Sequence, residues 1–277
     1  MSKKIVTEVK KEEVINKKQS KISNFNIWKI LSYFIIYSMV GYIIETLFAI
    51  VTKGVLESRR SFIIGPFCGI YGIGAIIMIL SLQYFKKNKY TLFFGGFLIG
   101  SVIEYVASVL GQLILHVKWW DYSDQPFNIN GRICIAFSLF WGLLALYLIL
   151  YFNPKIDKLL FKIKNKLSEK LVKTIIIIIT IFMFIDCIIT GIGLKIFFTR
   201  IVCDYNIDVQ YINKESCEKW KNNENPEFKE FANKYFSNEK MLKTFPNLKM
   251  VSKEGNIIFA RDVLKDIQPY YIMLFKK

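Results

Sequence analysis

The chain has 277 residues, 53% of them hydrophobic, and a formal net charge of +16, with a mean hydropathy of +0.33. A soluble globular domain of this size does not combine those values, whereas a membrane protein with basic loops does. Nucleic-acid binding is set aside, because the lysines cluster beside apolar segments where anionic headgroups account for them.

Residues 1–26 alternate Lys and Glu with isolated Ile and Val, and read as a basic arm that is unstructured or lies on the membrane surface. Five apolar stretches follow, Ile27 to Val51, Ile63 to Phe85, Tyr90 to Val117, Ile133 to Phe152 and Leu171 to Phe198, each long enough for a transmembrane helix. The first is too long for a signal-peptide core and is expected to stay as an anchor. The expected fold is an all-α polytopic membrane protein of five transmembrane helices: a four-helix core over 27–152, a basic amphipathic connector over 153–173, a fifth span over 174–198, and a small α+β extramembrane C-terminal module over 199–277. Lysines crowd one side, in the arm, at Lys86, Lys87 and Lys89, and from Lys155 to Lys170. The short loops of the other side hold only Lys53, Arg59, Arg60, Lys118 and Arg132. The positive-inside rule therefore places the N-terminus in the cytoplasm and the C-terminal module outside the cell membrane.

The first helix contains Gly41-Tyr-Ile-Ile-Glu45, glycine and carboxylate on one face. A carboxylate in lipid costs about 2.5–3.5 kcal/mol on insertion scales, so Glu45 should face protein or water. The second stretch opens on Gly65-Pro66-Phe67-Cys68 and continues with Gly69, Tyr71, Gly72 and Gly74, a small-residue face suited to close helix packing. The third repeats the first pattern as Gly100-Ser-Val-Ile-Glu104, and the fourth begins Gly131-Arg132-Ile133-Cys134, echoing the second. Either these matches are a chance product of Gly-rich apolar sequence, or a two-helix unit is used twice in one orientation, a 2+2 parallel repeat.

The outer loop from Lys118 to Cys134 concentrates Trp119, Trp120, Asp121, Tyr122, Asp124, Asn128, Asn130 and Arg132. Its aromatic residues read as headgroup anchors, and its Asp residues also suit local turn capping. The connector from Pro154 to Lys173 carries Ile156, Leu159, Leu160, Ile163 and Leu167 at helical spacing, fitting a helix on the inner leaflet or a dock for a cytoplasmic partner. Asp186 lies near the middle of the fifth span and needs a partner. In the tail, Asn225-Pro226 starts a helix, and Leu248–Val251 with Ile257–Phe259 suggests a hairpin. A Cys203–Cys217 disulfide is left open.

The candidate site is an outward-facing polar group of Glu45, Glu104 and Arg132, with Arg59, Arg60, Asp121, Asn128 and Asn130 around its mouth and Asp186 in the fifth span. An internal salt bridge that fixes helix packing is the competing reading of the first three. His116, the single histidine, makes neither a metal site nor a catalytic triad. No phosphate-binding loop, zinc-protease motif or nucleophile elbow is present, so this chain carries no ATPase motif, and no cofactor or metal is expected.

Gly41-Tyr-Ile-Ile-Glu45-Thr, Gly65-Pro-Phe-Cys-Gly-Ile-Tyr71-Gly, Glu104-Tyr105, Trp119-Trp-Asp-Tyr-Ser-Asp and Pro126-Phe-Asn-Ile-Asn-Gly-Arg132 together resemble the bacterial ABC-transporter type IV permease family (CmpB-like membrane proteins), over about Tyr33 to Pro154. The resemblance implies a permease component of the bacterial plasma membrane, with its ATPase subunit on a separate chain that could dock on 154–173. Partners compatible with the sequence are the lipid bilayer, that ATPase and further copies of the chain. The alternatives are a membrane-embedded enzyme acting on lipid or envelope precursors, and a membrane scaffold or sensor.

Overall fold

The computed structural model of the chain describes residues 26–115, 118–209, 211–222 and 225–275; the N-terminal arm up to residue 25 and His116 lie outside the described residues. Helix α1 runs Ile27–Lys53. It is capped at its start by the Asn26 side chain, which accepts from Lys29 N–H, and closed by Gly54 in the left-handed region at φ 71°. A two-residue strand β1 (Val55–Leu56) and an irregular stretch lead to α2, Gly69–Leu82, which ends in a 3-10 turn to Phe85. Helix α3 is Lys89–Leu115 and α4 is Ile135–Tyr147. A π-helical turn, Leu148–Phe152, joins α4 without interruption to α5, Asn153–Lys166. Pro154 lacks an N–H and its ring crowds the preceding turn, which the wider π turn accommodates. The expected boundary between core and connector thus falls inside one continuous helix.

Among the described residues four helices are long and apolar enough to cross a membrane: α1, α3, the α4–α5 helix, and α6, Glu169–Asp204. The second expected span, Ile63 to Phe85, differs. Its stretch from Ile63 begins as non-helical backbone, because Gly65 adopts φ 80° and Pro66 disfavours helix in the residue before it. The helical remainder, 14 residues plus a three-residue 3-10 turn, reaches about 27 Å against a hydrocarbon thickness of ~30 Å.

The helices pack as two close pairs, α1 on α2 and α3 on α4. Tyr71 packs against Gly41, and a Cβ on Gly72 would sit 2.8 Å from the Phe34 carbonyl oxygen. Trp141 packs against Gly100, and a Cβ on Gly142 would sit 2.9 Å from the Phe93 carbonyl oxygen. Phe34, Gly41 and Glu45 map onto Phe93, Gly100 and Glu104 at one constant shift in sequence. Gly65 and Gly131 both have positive φ, and Cys68 and Cys134 both stand at the N-cap of the helix that follows. At the end of the bundle away from the C-terminal residues α5 is tied to α1: Tyr37 Oη donates to Asn153 at 2.8 Å, Tyr33 Oη donates to Asp157, and Lys29 pairs with Asp157 at 3.0 Å. The lipid-facing side is plain on α3, where Phe94, Leu98, Val102, Val106 and Leu110 form one exposed stripe. In water such a stripe would mark a contact site or a liability; in a bilayer it is the normal outer surface.

At 36 residues, about 54 Å, α6 is far longer than a bilayer requires. Its C-terminal half supplies Leu194, Phe197, Phe198, Ile201 and Val202 to the core of the C-terminal module, where Phe236, Met241, Leu242, Phe245, Leu248 and Met250 cover them. The boundary expected at 198/199 therefore cuts through a single core. The module adds α7 (Lys214–Lys221), α8 (Pro226–Tyr235), α9 (Asn238–Thr244), the antiparallel hairpin β2 (Lys249–Val251) with β3 (Ile257–Phe259), the short α10 (Ala260–Val263) and β4 (Ile272–Met273). A Cys203–Cys217 disulfide links α6 to α7. Strand β4 pairs with β1, Lys118 N–H donates to the Lys249 carbonyl at 3.0 Å, and Trp119 packs edge-on to Phe245. The module thereby sits over the loops that join α1 to α2 and α3 to α4.

Candidate functional site

Glu45 and Glu104 each lie one turn beyond a glycine, Gly41 or Gly100, against which an aromatic side chain of the paired helix packs, so each meets that aromatic. Tyr71 Oη donates to Glu45 at 2.9 Å, and Trp141 Nε1 donates to Glu104 at 3.2 Å. The Tyr71 and Trp141 rings are 5.8 Å apart, so the two carboxylates are joined through one aromatic contact between the helix pairs. Glu104 is 4% exposed and takes a second hydrogen bond, from Tyr122 Oη at 2.8 Å. Tyr122 is not the headgroup anchor expected of it: its ring stacks on Phe137 inside the protein.

The cation beside Glu45 is Arg59, 3.7 Å away, which also pairs at 2.8 Å with the buried Glu57. Glu57 receives Lys53 Nζ at 2.9 Å and Asn247 Nδ2 at 3.0 Å. Burial raises the Glu57 carboxyl, but the donors Lys53 and Asn247 and the Arg59 charge outweigh it and hold it below the ordinary carboxylate range. A polar ladder therefore descends from Asn247 in the module through Glu57 and Arg59 to Glu45.

Arg132 does not join this group. The left-handed turn at Gly131 directs it to α3 one and two turns outward from Glu104, where it donates to Ser108 at 2.9 Å and Gln112 at 2.5 Å and lies over the Tyr105 ring. Asn130 donates to Tyr105 Oη, and Asn128 braces the loop through Ser123, Gln125 and Gly131. Asp121 pairs with Lys118 and accepts from Ser123; those contacts outweigh burial and lower its carboxyl. Arg60 reaches Thr244 of the module at 3.4 Å.

Asp186 is 1% exposed and serves backbone: both its oxygens lie 3.1 Å from Ile64 N, while Ile63 N–H donates to Thr190 Oγ1 at 2.9 Å. Counting from Lys173, Asp186 stands about 20 Å along α6, so the non-helical stretch reaches into the bilayer. Exposed N–H groups are not tolerated there, and Asp186 and Thr190 satisfy them. Of the residues that build the centre, Tyr71, Tyr122, Trp141 and Glu57 were not anticipated as site residues. Tyr71-Gly72 and Trp141-Gly142, an aromatic followed by glycine in each second helix, are the signal that points to two of them. Among the described residues no group of three His, Cys, Asp or Glu side chains could hold a metal ion.

Apolar helices with lipid-facing stripes and an internal carboxylate centre define a multi-pass helical membrane protein. Residues 32–191, more than half of the chain, match the family described as "Putative ABC-transporter type IV", and the chain belongs to that family. The match takes in Glu45, Glu104 and Asp186 and stops before the module. No curated protein and no solved structure matches the chain.

Proposed function

We propose that the protein is the membrane-embedded component of a transporter in which Glu45 and Glu104, with Arg59, Tyr71, Tyr122 and Trp141, handle a charged solute or a proton between two helix pairs. The observation that carries the reading is the repeated geometry: a carboxylate one turn past a glycine contact, hydrogen-bonded to an aromatic of the paired helix, in both pairs. The recurrence supports a duplicated two-helix unit, with the centre on the axis between its copies. Ionisable groups on facing helix pairs within a membrane span, here a buried Glu104 and a half-buried Glu45, are suited to translocation. Arg60, Asp121, Asn128, Asn130 and Arg132 shape the outer loops above the centre, and Asp186 holds the segment beside it.

The N-terminus is cytoplasmic and the module extracytoplasmic; the lysine distribution and the Cys203–Cys217 disulfide support that orientation. A separate ATPase docks on α5, whose Lys158, Lys162, Lys164, Leu159 and Phe161 are exposed beyond the face that Ile156 and Leu160 pack on the bundle. The test is purification of the full chain from its native membrane: an ATPase should co-purify and be lost on combined Lys158→Glu and Lys162→Glu substitution. Glu45→Gln and Glu104→Gln should each keep that complex and impair its coupled ATP hydrolysis. Absence of any ATPase sinks the docking claim, and unaltered hydrolysis in both glutamine variants sinks the centre. Single-cysteine labelling in intact cells should mark position Ser123 and not Ser168; the reverse pattern overturns the orientation.

A further inference from the structure

A second polar feature lies at the outer end of α6, apart from the carboxylate centre. The Cys203–Cys217 disulfide ties α7 back to α6, and α8 packs beside them through Ala232, leaving a cleft of about 350 Å³. Arg200 and Asp204 of α6, Trp220 and Lys221 of α7, and Lys229 and Asn233 of α8 line it. That size lies at the lower end of small-ligand sites, which run from about 300 to 1,000 Å³.

Arg200 is 7% exposed. Its Nη1 donates to Asn233 at 3.2 Å and its Nη2 to the Phe236 carbonyl, while its buried Nε has no acceptor among the described residues. The Nε is sealed from the cleft, whereas each Nη carries a second N–H beyond the one it donates to the protein. Asp204 is held by Trp220 Nε1 at 3.2 Å, and Lys221 rests against the neutral Asn206 side chain. The lining thus carries three cations against one carboxylate, an excess of positive charge matched to the charge of a phosphate group.

We propose that this cleft binds a phosphate group carried on a small organic body, with Arg200 as the buried donor, Lys221 and Lys229 as the cations at its mouth and Trp220 as a flat wall. Arg200 stands where α6 leaves the bilayer, so the phosphate comes either from a lipid headgroup or from a soluble phosphate ester. The planar guanidinium and two mobile ammonium groups suit either source.

The full chain in a maltoside detergent free of phospholipid, titrated with inorganic phosphate at constant ionic strength, should show a saturable change in tryptophan emission that Trp220→Phe removes. The double variant Lys221→Gln, Lys229→Gln should weaken binding at least about tenfold while leaving the phosphate-free unfolding temperature unchanged. In nanodiscs rich in phosphatidylglycerol, loss of the phosphate response identifies a headgroup as the occupant, and its persistence identifies a soluble ester. The absence of a saturable response in phospholipid-free detergent, or equal affinity in the double-lysine variant, overturns the proposal.

Discussion

Replacing Asp186 separates a structural carboxylate from a translocating one. Asp186→Leu removes the acceptor of Ile64 N–H, with both oxygens at 3.1 Å, and unsettles Thr190, which accepts from Ile63 N–H. A hydrogen bond to a charged acceptor contributes about 1.5–3 kcal/mol, and an orphaned buried N–H costs a similar amount, so the segment should lose about 3 kcal/mol. Asp186→Asn keeps one carbonyl oxygen in place and removes a buried charge, so its loss should be about 1 kcal/mol. Cys68 reports the opening, being buried at the end of that segment and contacted by Ser61 Oγ. In a Cys187→Ser background, maleimide labelling of the Cys68 peptide, followed by mass spectrometry, should quicken roughly a hundredfold for Leu and roughly fivefold for Asn. The Asn variant should also retain the activity of the native chain. Labelling of Asn as fast as Leu, or an unchanged rate for Leu, would refute the assignment of Asp186 to backbone satisfaction.

Cys217→Ser should cost the module about 3 kcal/mol, the loop-closure value for a bridge across 14 residues, read as a lower temperature of proteolytic cleavage around α7. For Glu57 the folded carboxyl lies below its ordinary value of 4.5, so its contribution is complete above that pH and is lost as pH falls through the folded value. Amide protection factors in β1 and β4, corrected for the intrinsic pH dependence of exchange, should therefore fall on acidification, and Glu57→Gln should flatten that dependence. Gly142→Ala would set a Cβ 2.9 Å from the Phe93 carbonyl and should destabilise α3 against α4 by about 1–3 kcal/mol. Gly74→Ala, whose Cβ meets nothing within 4 Å, should be neutral or slightly stabilising in the same thermal assay.

The long apolar helices were legible because lipid demands a continuous apolar run and little else. The hairpin around Ser252–Asn256 and the helix starting at Pro226 were legible from turn and cap chemistry, which acts within a few residues. Hydropathy misled at Phe62, Ile63 and Ile64. These residues are apolar enough for a span, yet Gly65 and Pro66 just beyond them force non-helical backbone whose N–H groups need a partner distant in sequence. Hydropathy also could not divide α6. Ile178 and Ile185 face lipid while Phe197 and Ile201 fill the module, and the same residue types serve both surroundings.

The three intramembrane carboxylates show why a charged residue in an apolar run does not declare its purpose. Glu45, Glu104 and Asp186 carry the same insertion penalty, and each must be met by donors. Asp186 is met by the Ile64 backbone N–H, 3.1 Å from both its oxygens, and by the Thr190 hydroxyl of its own helix. Glu104 is met by Tyr122 and Trp141, and Glu45 by Tyr71 with Arg59 at a looser 3.7 Å. Side-chain donors can rotate away where backbone donors cannot, so only the glutamates retain freedom to exchange a partner. That freedom also bears on Arg132, which the sequence places beside Glu45 and Glu104, with Arg59 only at the mouth. A left-handed glycine turns Arg132 toward neutral Ser108 and Gln112, leaving Glu104 with neutral donors only. The pair is therefore asymmetric, one carboxylate facing a cation and the other facing none among the described residues. Were the two equivalent in the cycle, Glu45→Gln and Glu104→Gln would impair it alike. The asymmetry instead predicts that Arg59→Gln reproduces the effect of the first substitution and leaves the second site's behaviour intact.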